Sequence, residues 1–248
     1  MSNTLYKMEL VDDLADKERH MQWTSLAISH VEYQTGDWLG KFLALTSLCP
    51  LALVIAFVTL ILFRRDLHTI TFLCGTALNE AINWILKHLI KELRPCRGRE
   101  ILYSEYGMPS NHAQFMWFFA TYMAFFLLIR LHHGNSTYPL ENAWKYIVTV
   151  FIICVAAIVS YSRIYLQYHT WTQVLCGACL GIFLACIWFA ITQFTLTPLF
   201  PIIAAWPISE FLMLRDTTLI PNVMWFEYTS HRTESRTRQR KLVSMKSQ

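Results

Sequence analysis

Apolar and charged positions along the 248-residue chain separate into blocks instead of alternating. Residues 42–63 hold no charged side chain, and 68–86 are interrupted only by Glu80. Residues 113–129 are uncharged and rich in aromatic rings, and 146–162 are uncharged between Lys145 and Arg163. After His169 no charge appears until Glu210, and 172–194 makes the fifth block. A bilayer's hydrocarbon core takes about 20 residues of helix, within a range of roughly 17 to 25. The pattern therefore predicts an all-α fold, a multi-pass membrane helical bundle of about five transmembrane helices. Pro198, Pro201 and Pro207 remove the donors that a regular sixth helix needs, so 195–208 is expected to lie along the interface or re-enter partway. Three regions follow: an N-terminal extramembrane segment at 1–40, a membrane domain at 41–209 and a basic cytosolic tail at 210–248.

Composition supports this reading. Charged residues make up 15% of the chain and the hydrophobic set 54%, against about 25% charged in an average soluble protein. Mean hydropathy is +0.34. Disorder, collagen, a coiled coil and a small disulfide scaffold are excluded, and a scattered net charge of +4 is too small to argue for nucleic acid. Cys49, Cys74, Cys154, Cys176, Cys179 and Cys186 all sit in apolar stretches, which rules out a loop-stapling disulfide framework. Cys176 and Cys179, set among Leu, Ala and Gly, read as packed small residues on a membrane helix and not as a redox pair. The first forty residues mix acidic and basic side chains without an apolar core, so no cleavable leader is expected.

Basic residues set the orientation. With five spans they divide 11 to 10 between the two sides, and setting Lys87, Arg94 and Arg163 aside gives 11 to 7. That leans toward a cytosolic C-terminus. Asn135-Ser136-Thr137 is a glycosylation sequon that this topology leaves in the cytosol, so a glycan on Asn135 would overturn it.

Three polar clusters stand at the helix ends on one side: Lys87 with Arg94-Pro95, Pro109-Ser110-Asn111-His112, and Ser162-Arg163 with His169. Two helical hairpins bring their connecting loops to the same face. An arginine fork grips phosphate oxygens bidentately, and lysine acts as a point charge. Ser110 sits where it could cap the third helix, and the backbone N–H groups of Asn111 and His112 offer an anion site at that helix N-terminus. His112 and His169 supply a potential nucleophile and a potential general acid. Three cations, a helix N-terminus and two imidazoles make a phosphoryl-transfer site that needs no metal, and no cofactor is expected.

In this order, K-x6-R-P, P-S-x-H and S-R-x5-H resemble the signature motifs of the type-2 phosphatidic acid phosphatase superfamily, related to the vanadium haloperoxidases. Further stretches resemble its dolichyldiphosphatases: Tyr106-Gly-Met-Pro-Ser, Gln114-Phe-Met-Trp-Phe-Phe, Tyr168-His-Thr-Trp-Thr-Gln, Leu196-Thr-Pro-Leu-Phe-Pro, Ala205-Trp-Pro-Ile-Ser-Glu and Ile220-Pro-Asn-Val-Met-Trp-Phe-Glu-Tyr. The likeness covers roughly 30–242. It implies a haloperoxidase-like membrane fold and hydrolysis of dolichyl diphosphate to dolichyl phosphate and phosphate. That reaction returns the carrier lipid for protein N-glycosylation at the endoplasmic reticulum, with the active site facing the lumen. The resemblance also implies roles. His169 attacks phosphorus, and His112 protonates the leaving oxygen and then activates water. Lys87, Arg94, Ser110, Arg163 and the Asn111 backbone hold the phosphoryl oxygens.

Two positions depart from the superfamily pattern. Asn111 stands where glycine is usual, and asparagine tolerates the turn. Gln173 stands where most of the superfamily has aspartate, one helical turn after His169; its carbonyl can orient the imidazole without stabilising the positive form. A phosphate ester leaves more readily than a lipid alkoxide, so a less activated nucleophile suffices for a diphosphate. Glu80, a costly carboxylate inside a span, shares a face with Asn83 and Lys87. It reads as a residue that ties helices together and positions Lys87, or as the carboxylate that Gln173 lacks. Arg97 and Arg99 read as a wider diphosphate grip or as solvated loop charges. The histidines outside the motifs, His68 among them, read as loop or interface residues. A broader lipid phosphate phosphatase acting on phosphatidic acid, sphingoid phosphate or farnesyl diphosphate, and a weakly catalytic lipid-binding scaffold, stand as alternatives.

Overall fold

A computed structural model of the chain describes residues 23–25, 31–95, 106–131, 140–220 and 223–246. Arg97, Arg99, His20, His30, His132, His133 and the Asn135 sequon lie outside the described residues.

A short antiparallel pair, β1 (Trp23–Ser25) and β2 (Glu32–Gln34), precedes the helices. The first apolar block then forms two helices, α1 (Trp38–Thr46) and α2 (Cys49–Arg64). Pro50 accounts for the break. It has no N–H to give and its ring clashes with the carbonyl four residues back, so the helix restarts with proline in its first turn, where no donor is required. Phe57 is the one buried residue of α2, while Leu51, Ile55, Leu62 and Phe63 are exposed. A helix apolar on every side, with so little protein against it, has lipid for a neighbour.

Arg65, in the left-handed region with φ 53°, ends α2. Asp66 then caps α3 (Leu67–Ile90) by accepting the Thr69 N–H at 3.1 Å. At about 1.5 Å per residue this helix is long enough to cross a bilayer. Its inward side is polar, burying His68, Thr71, Thr76, Asn79 and Asn83. Four other runs are both long and apolar enough to cross: Trp38–Arg64, Asn111–Arg130, Ala143–Tyr165 and Trp171–Ala204. They correspond to the other four predicted blocks. The second differs in composition because its polar side turns into the bundle.

The remaining helices are α4 (Asn111–Phe125), extended by a π-helical turn at Phe126–Arg130, α5 (Leu140–Tyr165) and α6 (Trp171–Ile191). The fifth span does not stop at 194 as expected. A π-helical turn (Thr192–Leu196), a 3-10 turn (Thr197–Leu199) and α7 (Phe200–Ala204) carry the helical run on, followed by α8 (Pro207–Phe211). Each proline falls in the first turn of a new short piece. Pro198 and Pro201 thus break the helix into segments without stopping it, and the run ends at Ala204, ahead of an extended Trp206 and Pro207.

The core lies where α4 meets its neighbours. Phe57, Phe72, Phe118, Phe119, Tyr122, Ala185 and Phe189 form one cluster, and Phe115, Met116, Ala120, Ala156 and Val159 a second. Helices α4 and α6 approach closely because Gly177 and Gly181 present no side chain. A Cβ on Gly177 would stand 2.6 Å from the Ser110 carbonyl oxygen, and one on Gly181 would meet the Gln114 backbone. Small residues at this spacing are what close membrane-helix packing requires. His68 belongs to this interior and not to a loop or interface. It is 6% exposed and stacks on Phe126 at 4.9 Å between ring centroids. The last helix, α9 (Val223–Lys246), is largely exposed. It is tied to the end of α2 by Arg64–Glu227 at 2.8 Å, and Arg215 pairs with the Arg65–Leu67 backbone just before it. Both contacts lie at the end of the bundle opposite Lys87.

Candidate active site

At that other end, three chain segments converge. Lys87 lies in the last turn of α3, which closes with Lys91 in the left-handed region at φ 54°. The chain then runs beside the segment that re-enters the bundle: Leu93 bridges Tyr106, and the Glu92 carbonyl accepts the Gly107 N–H at 2.6 Å. Arg94, half-buried, belongs to this strip. The Ser110 N–H donates to the Gln173 carbonyl at 3.1 Å, which seats the start of α4 on the first turn of α6.

Buried amides fix the start of α4 from its other side. Gln114, fully buried, donates to the Asn79 carbonyl at 3.0 Å and to Asn79 Oδ1 at 2.9 Å. Its own Oε1 accepts from Asn83 at 2.6 Å, and Asn83 also reaches the Pro109 carbonyl at 3.4 Å. An apolar environment strengthens such bonds and penalises their loss. Glu80, one helical turn before Asn83, takes a hydrogen bond from the Asn111 side chain and lies in the field of Lys87.

Ser110 occupies the N-cap position of α4, yet its hydroxyl makes no capping bond. It is wholly buried with no hydrogen-bond partner among the described residues. Asn111 and His112 are the first two residues of the helix, so their N–H groups are among the four that an α-helix leaves unsatisfied. A buried hydroxyl without a partner beside open N–H groups suits an anionic oxygen acceptor. His112 lies in the field of Arg163, His169, Lys87 and Arg94.

The third segment follows α5. The Arg163 carbonyl accepts from both Tyr168 and His169, at 3.0 and 3.1 Å, and folds the chain back sharply. The Arg163 guanidinium lies 4.1 Å from the centroid of the Tyr168 ring, a cation–π contact that orients the fork. Tyr168 is itself anchored, its hydroxyl accepting the Glu32 N–H at 2.8 Å. His169 is 3% exposed and its Nδ1 meets Gln173 Oε1 at 3.2 Å. Burial first, then the charges of Arg163 and Arg94, hold the His169 imidazole well below the usual histidine range, with the Gln173 bond pulling the other way and Lys87 adding to the depression. The ring is therefore neutral at physiological pH.

Gln173 does more than orient His169. Thr170 and Gln173 form a capping box at the start of α6, with the Gln173 N–H reaching Thr170 Oγ1 and the Thr170 N–H reaching Gln173 Oε1, both at 3.3 Å. The Gln173 Nε2 donates to Glu92 Oε1 at 2.8 Å and to the Leu93 carbonyl at 3.0 Å. The structure brings Glu80, Lys87, Arg94, Ser110, Asn111, His112, Arg163, His169 and Gln173 to this end of the bundle. Sequence reasoning missed the capping box, legible as Thr170-x-x-Gln173, and the Gly177-x-x-x-Gly181 approach. Glu92 carried no signal, because its contact joins residues 81 positions apart. Glu80 has Asn111 and Lys87 for neighbours, and the carboxylate at Gln173 is that of Glu92. Among the described residues, no three His, Cys, Asp or Glu side chains group as metal ligands would.

Residues 68–196 match the PAP2 superfamily, and that stretch contains every residue of the cluster. Fold and site thus define a multi-pass membrane phosphatase of the PAP2 type. The same fold occurs in the transmembrane PAP2-type phosphatidylglycerolphosphate phosphatase from Bacillus subtilis, with a TM-score of 0.51 and 22% identity over 63% of this chain and 77% of that one. In sequence the chain is 54% identical to dolichyldiphosphatase 1 of Rhinolophus ferrumequinum and 53% identical to that of Homo sapiens. Each comparison covers 89% of this chain and 93% of the relative. Within the PAP2 superfamily, the chain belongs to the dolichyldiphosphatase family.

Proposed function

We propose that the chain hydrolyses dolichyl diphosphate to dolichyl phosphate and inorganic phosphate through a phosphohistidine at His169, without a metal. The observation that carries this reading is a buried His169 whose Nδ1 is held by Gln173 in the field of Arg163, Arg94 and Lys87. With Nδ1–H donating to Gln173, Nε2 keeps the lone pair and attacks the terminal phosphorus. The bond from phosphorus to the bridging oxygen breaks, and His112, entering as the imidazolium once the anionic diphosphate offsets the surrounding cations, gives that oxygen its proton. Water then attacks the phosphohistidine, His112 takes a proton from it, and phosphate leaves with the imidazole restored. Lys87, Arg94 and Arg163 meet the charge that spreads over the phosphoryl oxygens, with Ser110 and the Asn111 N–H as neutral donors. Glu80 holds Asn111 and Lys87 in place.

The headgroup binds at the membrane boundary while the polyprenyl chain stays in lipid along the exposed apolar helices. The reaction returns the carrier lipid for protein N-glycosylation at the endoplasmic reticulum, with the site facing the lumen and the basic tail in the cytosol, where it meets anionic headgroups. Family membership and the positive-inside lean support that location. Phosphate release from dolichyl diphosphate by detergent-purified protein in chelator tests the chemistry. Wild type should turn over and His169→Ala should not. Turnover that depends on added metal, or that survives in His169→Ala, would defeat it. A panel with phosphatidic acid, sphingoid phosphate and farnesyl diphosphate separates the dolichyl reading from a broader one.

A further inference from the structure

The side-chain amide of Gln173 is wholly buried, and both its ends are used. Oε1 accepts from the Thr170 N–H and faces His169 Nδ1, while Nε2 donates to Glu92 Oε1 and the Leu93 carbonyl. An amide can turn by half a rotation with no change of shape, so its orientation is set by what each end meets. Turned the other way, Gln173 would aim its oxygen at two acceptors that can give it nothing and its NH2 at the Thr170 N–H. The carboxylate of Glu92 makes this bias stronger than a carbonyl alone, because hydrogen bonds to an ionised partner are roughly twice as strong as neutral ones. Gly107 backs the same amide: a Cβ there would stand 2.7 Å from Oε1 and 2.8 Å from Nε2. The Glu92 backbone holds Gly107 through its own carbonyl. One short strip therefore supplies both the carboxylate and the wall against which the amide rests.

We infer that Glu92 is a positioning residue for the nucleophile, acting through the Gln173 amide to hold His169 in the tautomer that leaves Nε2 free. The inference rests on His169 being that nucleophile. As Nε2 bonds to phosphorus the imidazole becomes cationic, and its Nδ1–H bond to Gln173 Oε1 strengthens. Glu92 polarises the amide in that direction, so a negative charge reaches the ring one amide removed. Glu92 itself lies on an exposed stretch of chain, and its carboxylate meets the Gln173 amide.

The test is a double-mutant cycle on phosphate release from dolichyl diphosphate by the full-length purified protein. Glu92→Ala should lower kcat about tenfold, at the lower end of what losing an orienting outer-shell partner costs, with KM within about twofold and the unfolding temperature in detergent unchanged. Glu92→Gln should lose only about threefold, since its amide oxygen keeps the hydrogen bond without the charge. In a Gln173→Ala background, with no amide to hold, Glu92→Ala should cost less than about twofold. Wild-type kcat in Glu92→Ala, or the same tenfold loss in both backgrounds, would overturn the inference. If Glu92→Ala does not fold, Glu92→Gln carries the comparison in both backgrounds. His169→Ala in the same series separates the two levels. Turnover surviving there removes the nucleophile, whereas an inactive His169→Ala beside fully active Glu92 variants removes only the role of Glu92.

Discussion

Gly177→Ala puts one methyl group between α6 and the start of α4, and its effect can be worked from the geometry. The new Cβ would stand 2.6 Å from the Ser110 carbonyl oxygen, 3.3 Å from the Ser110 nitrogen and 3.4 Å from the Gln114 nitrogen. All three are backbone atoms, so no flexible side-chain end can move aside. Relief to an ordinary contact beginning near 3.4 Å requires a separation of about 0.8 Å. That displacement falls on Ser110, whose N–H is bonded to the Gln173 carbonyl, and on the helix turn bearing Asn111 and His112. A misplacement of about 1 Å at a reacting group can cost about a hundredfold. Gly177→Ala should therefore lower kcat on dolichyl diphosphate between about tenfold and a hundredfold, and overpacking should destabilise the fold by about 1 to 3 kcal/mol. Phosphate-release kinetics and thermal unfolding in detergent measure the two effects. Cys179→Leu, at an exposed position on the same helix, should leave both unchanged. Wild-type kcat in Gly177→Ala would refute the claim that close helix approach sets the site.

Two further outcomes follow from the cluster. Tyr168→Leu removes the ring beneath Arg163 and the acceptor for the Glu32 N–H, and should raise KM about fivefold, the equivalent of roughly 1 kcal/mol of cation–π contact; Tyr168→Phe, which keeps the ring, should show a smaller rise. The pH profile is the second test. His169 is held below its ordinary range by burial, Arg163, Arg94 and Lys87, so it stays neutral as pH falls through about 6.5. The acid limb of kcat/KM, corrected for the substrate's own ionisation, should lie below that value. Arg94→Gln, which removes a depressing charge, should move the limb toward neutral while lowering kcat/KM. A wild-type limb at or above the ordinary histidine value would contradict this placement of His169.

The membrane architecture was legible because charge-free runs of the right length have few other uses. Its interruptions were less so. Pro50 splits the first block, and Pro198 and Pro201 divide the fifth helix into short pieces without ending it. In both cases the helix restarts because a proline in a first turn lacks only a donor that was unused. His68 was misplaced because a lone histidine at the edge of an apolar block looks like an interface residue until Phe126 is found stacked on it. The site was legible because its motifs are local and its loops share a face by connectivity. Gln173 stood out for what it lacks, whereas its bond to Glu92 is a tertiary contact that no local pattern encodes. Ser110 does stand at the N-cap of α4, where the sequence put it, but its hydroxyl makes no capping bond.

The account depends above all on transfer of the terminal phosphoryl group to His169. Rapid quenching of full-length protein with dolichyl diphosphate labelled in its terminal phosphate measures this directly, followed by digestion and mapping of the acid-labile, base-stable adduct. Wild type should carry the label on the peptide containing His169, and His169→Ala should carry none. Phosphate released with no protein-bound label at any quench time, or label retained in His169→Ala, would contradict the account.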